Sequence, residues 1–495
     1  MSQLGYAHLH RSLGLSVFEP DRPARTASVT RVTPSADALL IPAHVAPQSD
    51  DVLAHLLFAL KHEGVNLQIL SQALQKIPAV SMLELIRAAP SGVYVRTACF
   101  LWEAFNGQEL KDLPTITGPT VDLFDPGKYI TGPGTRNAKW RVNFNGLGSM
   151  QYCVTVERTP MIKGLLALDI LTSAEAFLSH LGPAASDRAM SWAYLHETQN
   201  SFAIERETPT ANKAEAFVDL LRQAHQVRLL DEAYLVELQN ATITNPLDRA
   251  VEYRNQQNWL RGPLRGAPGI TYVPPPPEMV PALMKALLAF ANSAPRKIDP
   301  LVCAAITSFG FVFIHPFMDG NGRLSRFLFH HALCQSGRLS NGLLLPVSVA
   351  MKRNEEAYLK ALKSFSAPAR KRWDVRWIGD DDYDMRFSAD DTVYRFWNAT
   401  VCVEFGLEMA RQALDRDLKD EAEFLGKYDT LVNAINDRFD VRGNDLTTLV
   451  LSCLQNNGKI SANRRKKFEL TVPAPVFDAI EEAWSELAKR FVSPL

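Results

Sequence analysis

The stretch "HPFMDGNGRLSR", residues 315–326, brings a histidine, a carboxylate, a Gly-Asn-Gly turn and two arginines together. It follows the apolar segment "DPLVCAAITSFGFVFI" (299–314), which predicts a buried central helix with Asp299 as its N-cap. It also opens "NGRLSRFLFHHALCQ" (321–335), which predicts a second helix that ends near Gly337. The sequence therefore predicts two helices joined by a short polar loop, and this pair decides the fold.

The turn at the centre of this stretch has the features of an anion-binding site. Gly320 and Gly322 permit tight backbone angles and the close approach of an anion around Asn321. Free backbone N–H groups at a helix start, together with the helix dipole, favour a phosphate. Arg323 and Arg326 are three residues apart, so both guanidinium groups can bind further phosphate groups from one helix face.

Two residues of the stretch could supply catalysis. A carboxylate such as Asp319 beside a phosphate site suits Mg²⁺, which takes one or two carboxylates together with phosphate oxygens. A neutral imidazole at His315 can accept a proton from an incoming hydroxyl near pH 7. Each residue alone is more often structural, and a polar turn between helices is the alternative. Their combination in one short span favours a catalytic phosphate site.

The composition bounds the class of protein. A chain of 495 residues is too long for one ordinary core, and a formal net charge of -1 gives no overall attraction to nucleic acid or an anionic membrane. The six cysteines are scattered singly, which is typical of reduced core residues. No secretion signal or long apolar run is present. We expect a soluble cytoplasmic protein without a membrane partner.

Changes in composition along the chain predict four parts. Residues 1–50 are rich in Pro, Arg, Ser and Thr and predict a loosely ordered, flexible arm. Helical periodicity predicts an N-terminal domain at 51–160, where "WRVNFNGLGSMQYCVTVERTP" is a hairpin or a loop, and a helical core at 161–370. The acidic segment "WIGDDDYDMRFSADD" (377–391) predicts a solvated linker or a helix cap, and 385–495 predicts a helical C-terminal domain.

Two further segments are candidates for a functional role. "GITYVPPPPEMV" begins with a β-branched piece, Gly269 to Val273, and continues into four prolines, which predicts a hairpin or flap before a helix. In the C-terminal domain, "GKISANRRKKFEL" (458–470) lies between two helical patterns, as in a small winged-helix unit. Its basic residues could contact nucleic-acid phosphates or be a solvated surface, and both alternatives stay open.

The central stretch resembles the signature of Fic-domain proteins, HPFx(D/E)GNGRxxR, at every defined position. "EYRNQQNWLRG" and "GITYVPPPPEMV" resemble the segment before the family's flap and the flap itself. "PSGVYVRTACFLWEAFNGQEL" more loosely resembles an N-terminal region of larger bacterial Fic proteins. The resemblance implies a mainly α fold, with a Fic-type helical core, a short β-hairpin flap, a helical N-terminal domain and the C-terminal unit.

For activity, the resemblance implies transfer of AMP from ATP to a Ser, Thr or Tyr hydroxyl of a target protein or of the chain itself. His315 would be the general base, and Asp319 would hold Mg²⁺. The backbone of the Gly-Asn-Gly turn would stabilise developing charge. The implied nucleotide-binding residues of the stretch are Asp319, Gly320, Asn321, Gly322, Arg323, Leu324, Ser325 and Arg326.

The resemblance also implies roles outside the central stretch. Ile270, Thr271 and Tyr272 of the flap would lie at the nucleotide and align the target segment by strand addition. Tyr358 in "NEEAYLKAL" lies on a helix like the family helix that carries a tyrosine pair near the base, but Ala357 replaces a first tyrosine. Stacking of Tyr358 on the base and plain helix packing stay open, and so does the identity of the nucleotide.

A second informative stretch is "NSFAIERE", residues 200–207. Ser201 and Glu205 match the (S/T)xxxE(G/N) motif of self-inhibited Fic proteins, while Arg206 replaces the final Gly or Asn. The resemblance implies that Glu205 enters the nucleotide site and pairs with Arg326, which would occupy the γ-phosphate position. The alternative is an ordinary exposed glutamate on a helix.

Two alternatives compete with AMP transfer. The same fold could use another donor and transfer UMP, phosphocholine or phosphate. In the relatives that transfer phosphate, a Lys replaces the first arginine, so the intact Arg323 argues against that reaction. From a different class, the C-terminal basic stretch could make the protein a DNA-binding regulator. The patterns leave a homo-oligomer open.

Overall fold

The computed structural model of this chain describes residues 3–243, 245, 249–340, 342–379 and 382–492. It is mainly helical with short strands, as the periodicity predicted. In these ranges, no helix combines the length and the apolar character that a membrane crossing requires.

The N-terminal region has regular elements from Gly5 onwards. Its elements in chain order are α1 (Gly5–Ser12), β1 (Ala24–Thr26), β2 (Thr33–Pro34), β3 (Leu39–Ile41), α2 (Val52–His62), α3 (Leu67–Gln75), α4 (Ala79–Ala88), α5 (Val93–Asn106), β4 (Val121–Asp122), β5 (Thr135–Asn137), β6 (Val142–Phe144), β7 (Leu147–Ser149) and β8 (Tyr152–Val154). Strand β3 lies between β1 and β2, β6 lies between β4 and β5, and β7 pairs with β8 as an antiparallel hairpin. The hairpin alternative for this last segment is therefore confirmed.

The prediction of a loosely ordered arm at residues 1–50 is wrong. Leu9 and Val17 are fully buried in the same apolar cluster as residues of α2, α3 and α5. The amide group of Gln68 on α3 holds this segment in place, because its Oε1 accepts the backbone N–H of Phe18. A few apolar side chains of this segment pack into the neighbouring core. The many polar residues around them gave the segment the composition of a disordered arm.

The central region contains the predicted helix pair. Its elements are α6 (Pro160–Ala167), α7 (Ile170–Leu181), α8 (Pro183–Ile204), α9 (Ala211–Gln223), α10 (Glu232–Thr242), β9 (Leu260–Arg261), β10 (Ile270–Tyr272), α11 (Val280–Ser293), α12 (Pro300–Ile314), α13 (Asn321–Gln335), α14 (Val347–Arg353) and α15 (Glu355–Arg370), with 3₁₀ turns at Ala267–Gly269 and Pro277–Met279. Helix α12 is buried along almost its whole length, and Asp299 caps it by accepting the N–H groups of Leu301 and Val302. This buried helix delivers residues 315–320 to the start of α13.

The remaining elements follow α15. They are β11 (Trp373–Gly379), β12 (Asp382–Phe387), α16 (Thr392–Arg395), α17 (Thr400–Gln412), a π-helical segment (Ala413–Leu418), α18 (Lys419–Asn436), α19 (Gly443–Gln455), α20 (Ala462–Phe468) and α21 (Ala474–Val492). Helices α18 to α21 enclose a separate apolar cluster. The predicted order of helix, turn, basic segment and closing helix is confirmed. No strand follows Phe387 in the described part of the chain, so the β wing is absent there.

The acidic segment 377–391 was predicted as a solvated linker or a helix cap. The linker alternative is wrong for its first part, whereas Asp390 at its end accepts the backbone N–H of Thr392, the first residue of α16, at 3.0 Å. Strands β11 and β12 form an antiparallel hairpin, with Asp380 and Asp381 outside the described residues. Trp373 and Tyr383 share an apolar cluster with Ile270 of β10, whereas Asp384 stays exposed. The alternation typical of a half-buried strand was present, and the run of aspartates obscured it.

Candidate active site

His315 ends α12 in a left-handed backbone conformation, with φ 53°. Its N–H donates to the carbonyl oxygen of Phe311 at 2.8 Å, and its Nδ1 lies 3.2 Å from the carbonyl oxygen of Val312. A carbonyl oxygen can only accept, so Nδ1 carries the hydrogen in this contact. Nε2 then has a free lone pair, which is the arrangement that a general base requires.

The protonation of His315 suits the same role. The pKa of His315 is lowered to about 4, mainly by burial and to a smaller extent by the charge of Arg254. The hydrogen bond to Val312 and the charges of Glu205 and Asp319 act in the opposite direction. Because this pKa lies below the ordinary histidine value, the imidazole is neutral at pH 7 and becomes protonated only as the pH falls towards 4. The ring is therefore ready to accept a proton over the physiological range.

The loop before α13 is shaped by two residues of the predicted turn. Gly320 has φ 83°, a conformation that strains residues with a side chain. The side-chain amide of Asn321 is buried; its Oδ1 accepts the N–H of Phe317 at 3.0 Å, and its Nδ2 donates to the Phe317 carbonyl at 2.7 Å. This closes the loop and leaves the first backbone N–H groups of α13 for an anion.

A carboxylate of the chain itself lies at that helix start. A Cβ atom on Gly322 would be 2.0 Å from Oε1 of Glu205, so only glycine leaves room for this approach. The Glu205 carboxylate stands where the helix N-terminus favours negative charge. The predicted anion site is therefore formed, and an anionic group of the protein is next to it.

Arg326 is buried, with 1% of its surface exposed, and it joins α13 to α8. Its Nε donates to the Ser201 hydroxyl at 2.7 Å, and Nη2 donates to the Ser201 carbonyl at 2.7 Å and to Oε1 of Glu205 at 3.0 Å. The three residues that the sequence pattern associated thus lie together.

Arg206 replaces the final Gly or Asn of the inhibitory motif, and its backbone keeps the conformation of such a residue. Helix α8 ends at Ile204, and Arg206 takes a left-handed conformation with φ 61°. This is the backbone that glycine or asparagine adopts most readily, and another residue there costs about 1 kcal/mol or more. The turn nevertheless forms, and it brings Glu207 back towards α13.

Glu207 is a site residue that sequence reasoning missed. Its Oε2 accepts from Nη1 of Arg323 at 3.0 Å, and the same nitrogen donates to the Thr242 carbonyl at 2.9 Å. Nη2 of Arg323 lies 3.2 Å from the Asp319 carboxylate. Both arginines of the predicted phosphate clamp are therefore bound to carboxylates, Arg326 to Glu205 and Arg323 to Glu207. The signal in the sequence was a second acidic residue just after the turn.

Asp319 has the position that a magnesium ligand needs. Its side chain is 42% exposed and lies between His315 and the α13 N-terminus in sequence, with its carboxylate shared with Arg323. Mg²⁺ takes one or two carboxylates and completes its shell with phosphate oxygens and water. A half-exposed carboxylate beside an anion site fits that requirement, so Asp319 is the residue that would hold the ion.

Another group of metal-ligating residue types lies in the N-terminal region, at His8, Asp50 and His55. Nδ1 of His55 accepts the N–H of Gly5 at 3.1 Å, and Nε2 faces the Ser49 carbonyl at 3.2 Å. With Nδ1 accepting, Nε2 carries the hydrogen, so neither nitrogen of His55 has a free lone pair. These contacts favour a structural role for this group.

Leu324 and Ser325 were included among the nucleotide-binding residues, and that role stays a prediction. The Leu324 side chain is fully buried in the core, and its N–H donates to the Gly320 carbonyl at 3.0 Å. The Ser325 hydroxyl donates to the Gly322 carbonyl at 2.8 Å. In this structure these groups of both residues therefore make contacts at the start of α13.

Tyr358 lies beside the clamp. Its ring packs against Phe405 and Phe309, with ring centroids 5.5 Å and 6.1 Å away. Burial raises the pKa of Tyr358 to about 12, while the neighbouring charge of Arg326 lowers it. In this structure Tyr358 therefore has the helix packing that was one of its two alternatives. Stacking of Tyr358 on a base stays a prediction.

The flap forms as predicted, from antiparallel strands β9 and β10. Ile270 and Tyr272 are buried, and the Tyr272 hydroxyl donates to the Phe313 carbonyl. Thr271 points to solvent between them. Two of the three flap residues therefore anchor the strand, while Thr271 is exposed and its hydroxyl donates to the Leu260 carbonyl at 3.1 Å. Contact of these residues with a nucleotide or a target segment stays a prediction.

Comparison with known proteins gives a family for part of the chain. Residues 229–333, which include β9, β10, α12 and most of α13, match the Fic/DOC family. A probable protein adenylyltransferase of Aquifex aeolicus is 36% identical over 95 residues, which are 19% of this chain and 27% of that protein. The protein adenylyltransferase Fic of Nematostella vectensis is 39% identical over 67 residues, 13% of this chain and 16% of that one. The match thus spans about a quarter or less of these curated relatives.

Among solved structures, a Fic family protein from Desulfovibrio desulfuricans is 22% identical, with a TM-score of 0.40. The alignment covers 62% of this chain and 90% of that one. Fic-1 from C. elegans is 15% identical with a TM-score of 0.36, covering 76% and 100% of the two chains.

Proposed function

We propose that this chain, whose residues 229–333 are a Fic/DOC family domain, is a protein adenylyltransferase that transfers AMP from ATP to a hydroxyl of a target protein. The observation that carries the proposal is a neutral imidazole next to a helix N-terminus flanked by two buried arginines. The names of the relatives support the reaction, since both curated relatives described above are called protein adenylyltransferases.

The proposed reaction assigns one step to each group of the site. Nε2 of His315 accepts the proton of the target Ser, Thr or Tyr hydroxyl. The hydroxyl oxygen forms a bond to the α-phosphorus, the bond from that phosphorus to the oxygen of the β-phosphate breaks, and pyrophosphate leaves. Backbone N–H groups at the start of α13 stabilise the negative charge on the α-phosphate.

The two arginines orient the triphosphate. Arg323 and Arg326 project from one face of α13 and bind the β- and γ-phosphates, so that the α-phosphorus faces His315. Asp319 would hold Mg²⁺, which supplies charge neutralisation between the phosphates when it is bound. Because both guanidinium groups are buried, their positions are defined before the nucleotide arrives.

We propose further that the state seen here is self-inhibited. Carboxylate oxygens of Glu205 and Glu207 accept hydrogen bonds from guanidinium nitrogens of Arg326 and Arg323. The phosphate oxygens of a bound triphosphate need the same donors. A triphosphate must displace both glutamates, and until then it is repelled by their charge. Ser201 supports this state, since its hydroxyl and carbonyl hold Arg326 in the geometry that meets Glu205.

The donor is tested by intact mass. The Glu205→Gly protein is incubated with Mg²⁺ and, separately, with ATP, UTP and a phosphocholine donor. We expect the mass of one or more AMP groups with ATP alone, and no addition in the matched Glu205→Gly, His315→Ala protein. Addition of UMP or phosphocholine in place of AMP would contradict the proposal and would show that the same site uses another donor.

The second glutamate leads to its own prediction. Glu207→Gln should tighten binding of Mg²⁺-ATP roughly fivefold in a His315→Ala background, because a neutral amide neither holds Arg323 nor repels the triphosphate as strongly. The effect should be smaller than that of removing Glu205, since Arg323 keeps Thr242 and Asp319 as partners. Isothermal titration calorimetry measures the affinity. Glu215→Gln on the exposed side of α9 is the control, and equal affinities in both variants would refute a second inhibitory contact.

A further inference from the structure

Arg254 is a buried arginine on the segment between α10 and β9, with 5% of its surface exposed. Burying a guanidinium group is unfavourable unless its nitrogens are hydrogen-bonded. Burial accordingly lowers the pKa of Arg254 to about 10, a value at which it is still charged at pH 7. A charged group kept in the interior next to the catalytic loop needs a physical explanation.

The contacts of Arg254 converge on two segments. Its Nε donates to the carbonyl oxygen of His315 at 2.8 Å, and its backbone N–H donates to the carbonyl oxygen of Pro316 at 2.8 Å. Its Nη2 donates to the carbonyl oxygen of Pro275, just after the flap, and Nη1 donates to that of Gln256 at 3.0 Å. A single side chain thus joins the loop of the general base to the end of the flap.

The backbone conformation of His315 explains why this residue needs such support. Its left-handed backbone is unfavourable for a residue with a Cβ atom, by about 1 kcal/mol or more. The Phe311 carbonyl holds the N–H of His315, and Arg254 holds its carbonyl oxygen, so both sides of the residue are fixed. Small displacements of a catalytic group lower the rate strongly, because the reacting atoms must be aligned.

We infer that Arg254 is a positioning residue that locks the catalytic histidine and the flap in one arrangement through backbone carbonyl oxygens. The inference rests on the proposed role of His315 as the base. The flap side of the lock is reinforced by Tyr272, whose hydroxyl donates to the Phe313 carbonyl two residues before His315. These contacts of Arg254 and Tyr272 therefore couple the position of the flap to the position of His315.

The charge of Arg254 gives this role a second consequence. The charged groups that act on His315 are Arg254, which lowers its pKa, and Glu205 and Asp319, which raise it; burial is the largest cause. Removal of the Arg254 charge should raise the pKa of His315 towards, but not up to, its ordinary value, because the ring stays buried. This pKa reports the charge of Arg254 near the ring, whereas the rate in Arg254→Lys reports its hydrogen bonds to the carbonyl oxygens.

The first test needs no enzymatic activity. The pKa of His315 is measured by histidine NMR titration of the full chain, with His315→Gln to assign the signal. We expect a clear upward shift in Arg254→Met and a value close to that of the native protein in Arg254→Lys, which keeps the charge. Arg265→Met, which removes an exposed arginine from the flap region, is the matched control and should not change it.

The second test measures the rate in the Glu205→Gly background. Arg254→Met should lower kcat about tenfold with a KM for ATP within about twofold, and the acid limb of the pH profile should move to higher pH. Arg254→Lys should restore the acid limb but only part of kcat, because a single ammonium group cannot reach all three carbonyl oxygens. The lysine variant also keeps the test decisive if the methionine variant does not fold.

Two results would overturn the inference. One is an unchanged His315 pKa in a folded Arg254→Met protein, and the other is an Arg254→Lys protein with full kcat. A failure of the proposed function looks different, because the NMR shift would then be present while no variant transfers AMP. If the pKa of His315 is unchanged in Arg254→Met while AMP is still transferred, the role of Arg254 is refuted and the proposed reaction is not.

Discussion

Replacing His315 by alanine in the Glu205→Gly protein is expected to lower the initial rate of AMP transfer by about 100-fold or more. The reason is that Nε2 of His315 is the group that removes the hydroxyl proton, and general base catalysis contributes about this much. The tautomer set by the Val312 carbonyl leaves that nitrogen free for the task. The rate is measured from the time course of self-modification by intact mass at saturating Mg²⁺-ATP.

The control for this experiment separates chemistry from folding and binding. His180→Ala removes an exposed histidine on α7 and should leave the rate unchanged. The His315→Ala protein should still bind Mg²⁺-ATP, because the two arginines and the α13 N-terminus are intact. Transfer at the undiminished rate in a folded His315→Ala protein would exclude this residue as the base.

The second large effect is expected from Glu205→Gly. Removing this side chain takes the Glu205 carboxylate away from Nη2 of Arg326, which keeps the Ser201 carbonyl as a partner, and clears the space above Gly322. The triphosphate can then bind with its α-phosphorus towards His315. We expect the rate of self-modification to rise at least about tenfold, within the range typical of coupled sites. Labelled nucleotide incorporation and intact mass measure it side by side with the native chain.

The companion variant for this prediction is Glu205→Gly with His315→Ala. It keeps the open clamp but lacks the base, so any label that it carries is bound nucleotide and not product. Equal rates in the native and Glu205→Gly proteins would show that the contact between Glu205 and Arg326 does not restrain the enzyme. Tighter ATP binding without a faster rate would assign Glu205 to affinity alone.

Much of the site could be read from local sequence. The helix pair around residues 315–326, the capping by Asp299 and the strand at 270–272 depend on residues close in the chain, and all three form as predicted. The association of Ser201 and Glu205 with Arg326 came instead from the resemblance to the inhibitory motif, and the structure shows these contacts. Short-range patterns carried the predictions of the helix pair, the cap and the strand, since the interactions that produce these elements are short-range.

Other features escaped because they depend on distant partners. The order of residues 1–50 results from packing against α3, and the hairpin of β11 and β12 results from packing against the flap. Composition suggested disorder for the first and a solvated linker for the second. Both segments have a few well-placed apolar side chains among many polar ones, and only the partner surface shows which of them are buried.

By itself, the sequence determined which residue types the chain offers at the site: a histidine, a carboxylate, a Gly-Asn-Gly turn and two arginines within residues 315–326. Only the tertiary structure decided which groups those arginines and that histidine contact. The left-handed turn at Arg206 sends Glu207 to Arg323, and Arg254 reaches His315 from 61 residues away. The physical reason is that a motif specifies side chains on adjacent backbone, whereas pairing of buried charges depends on how separate elements pack.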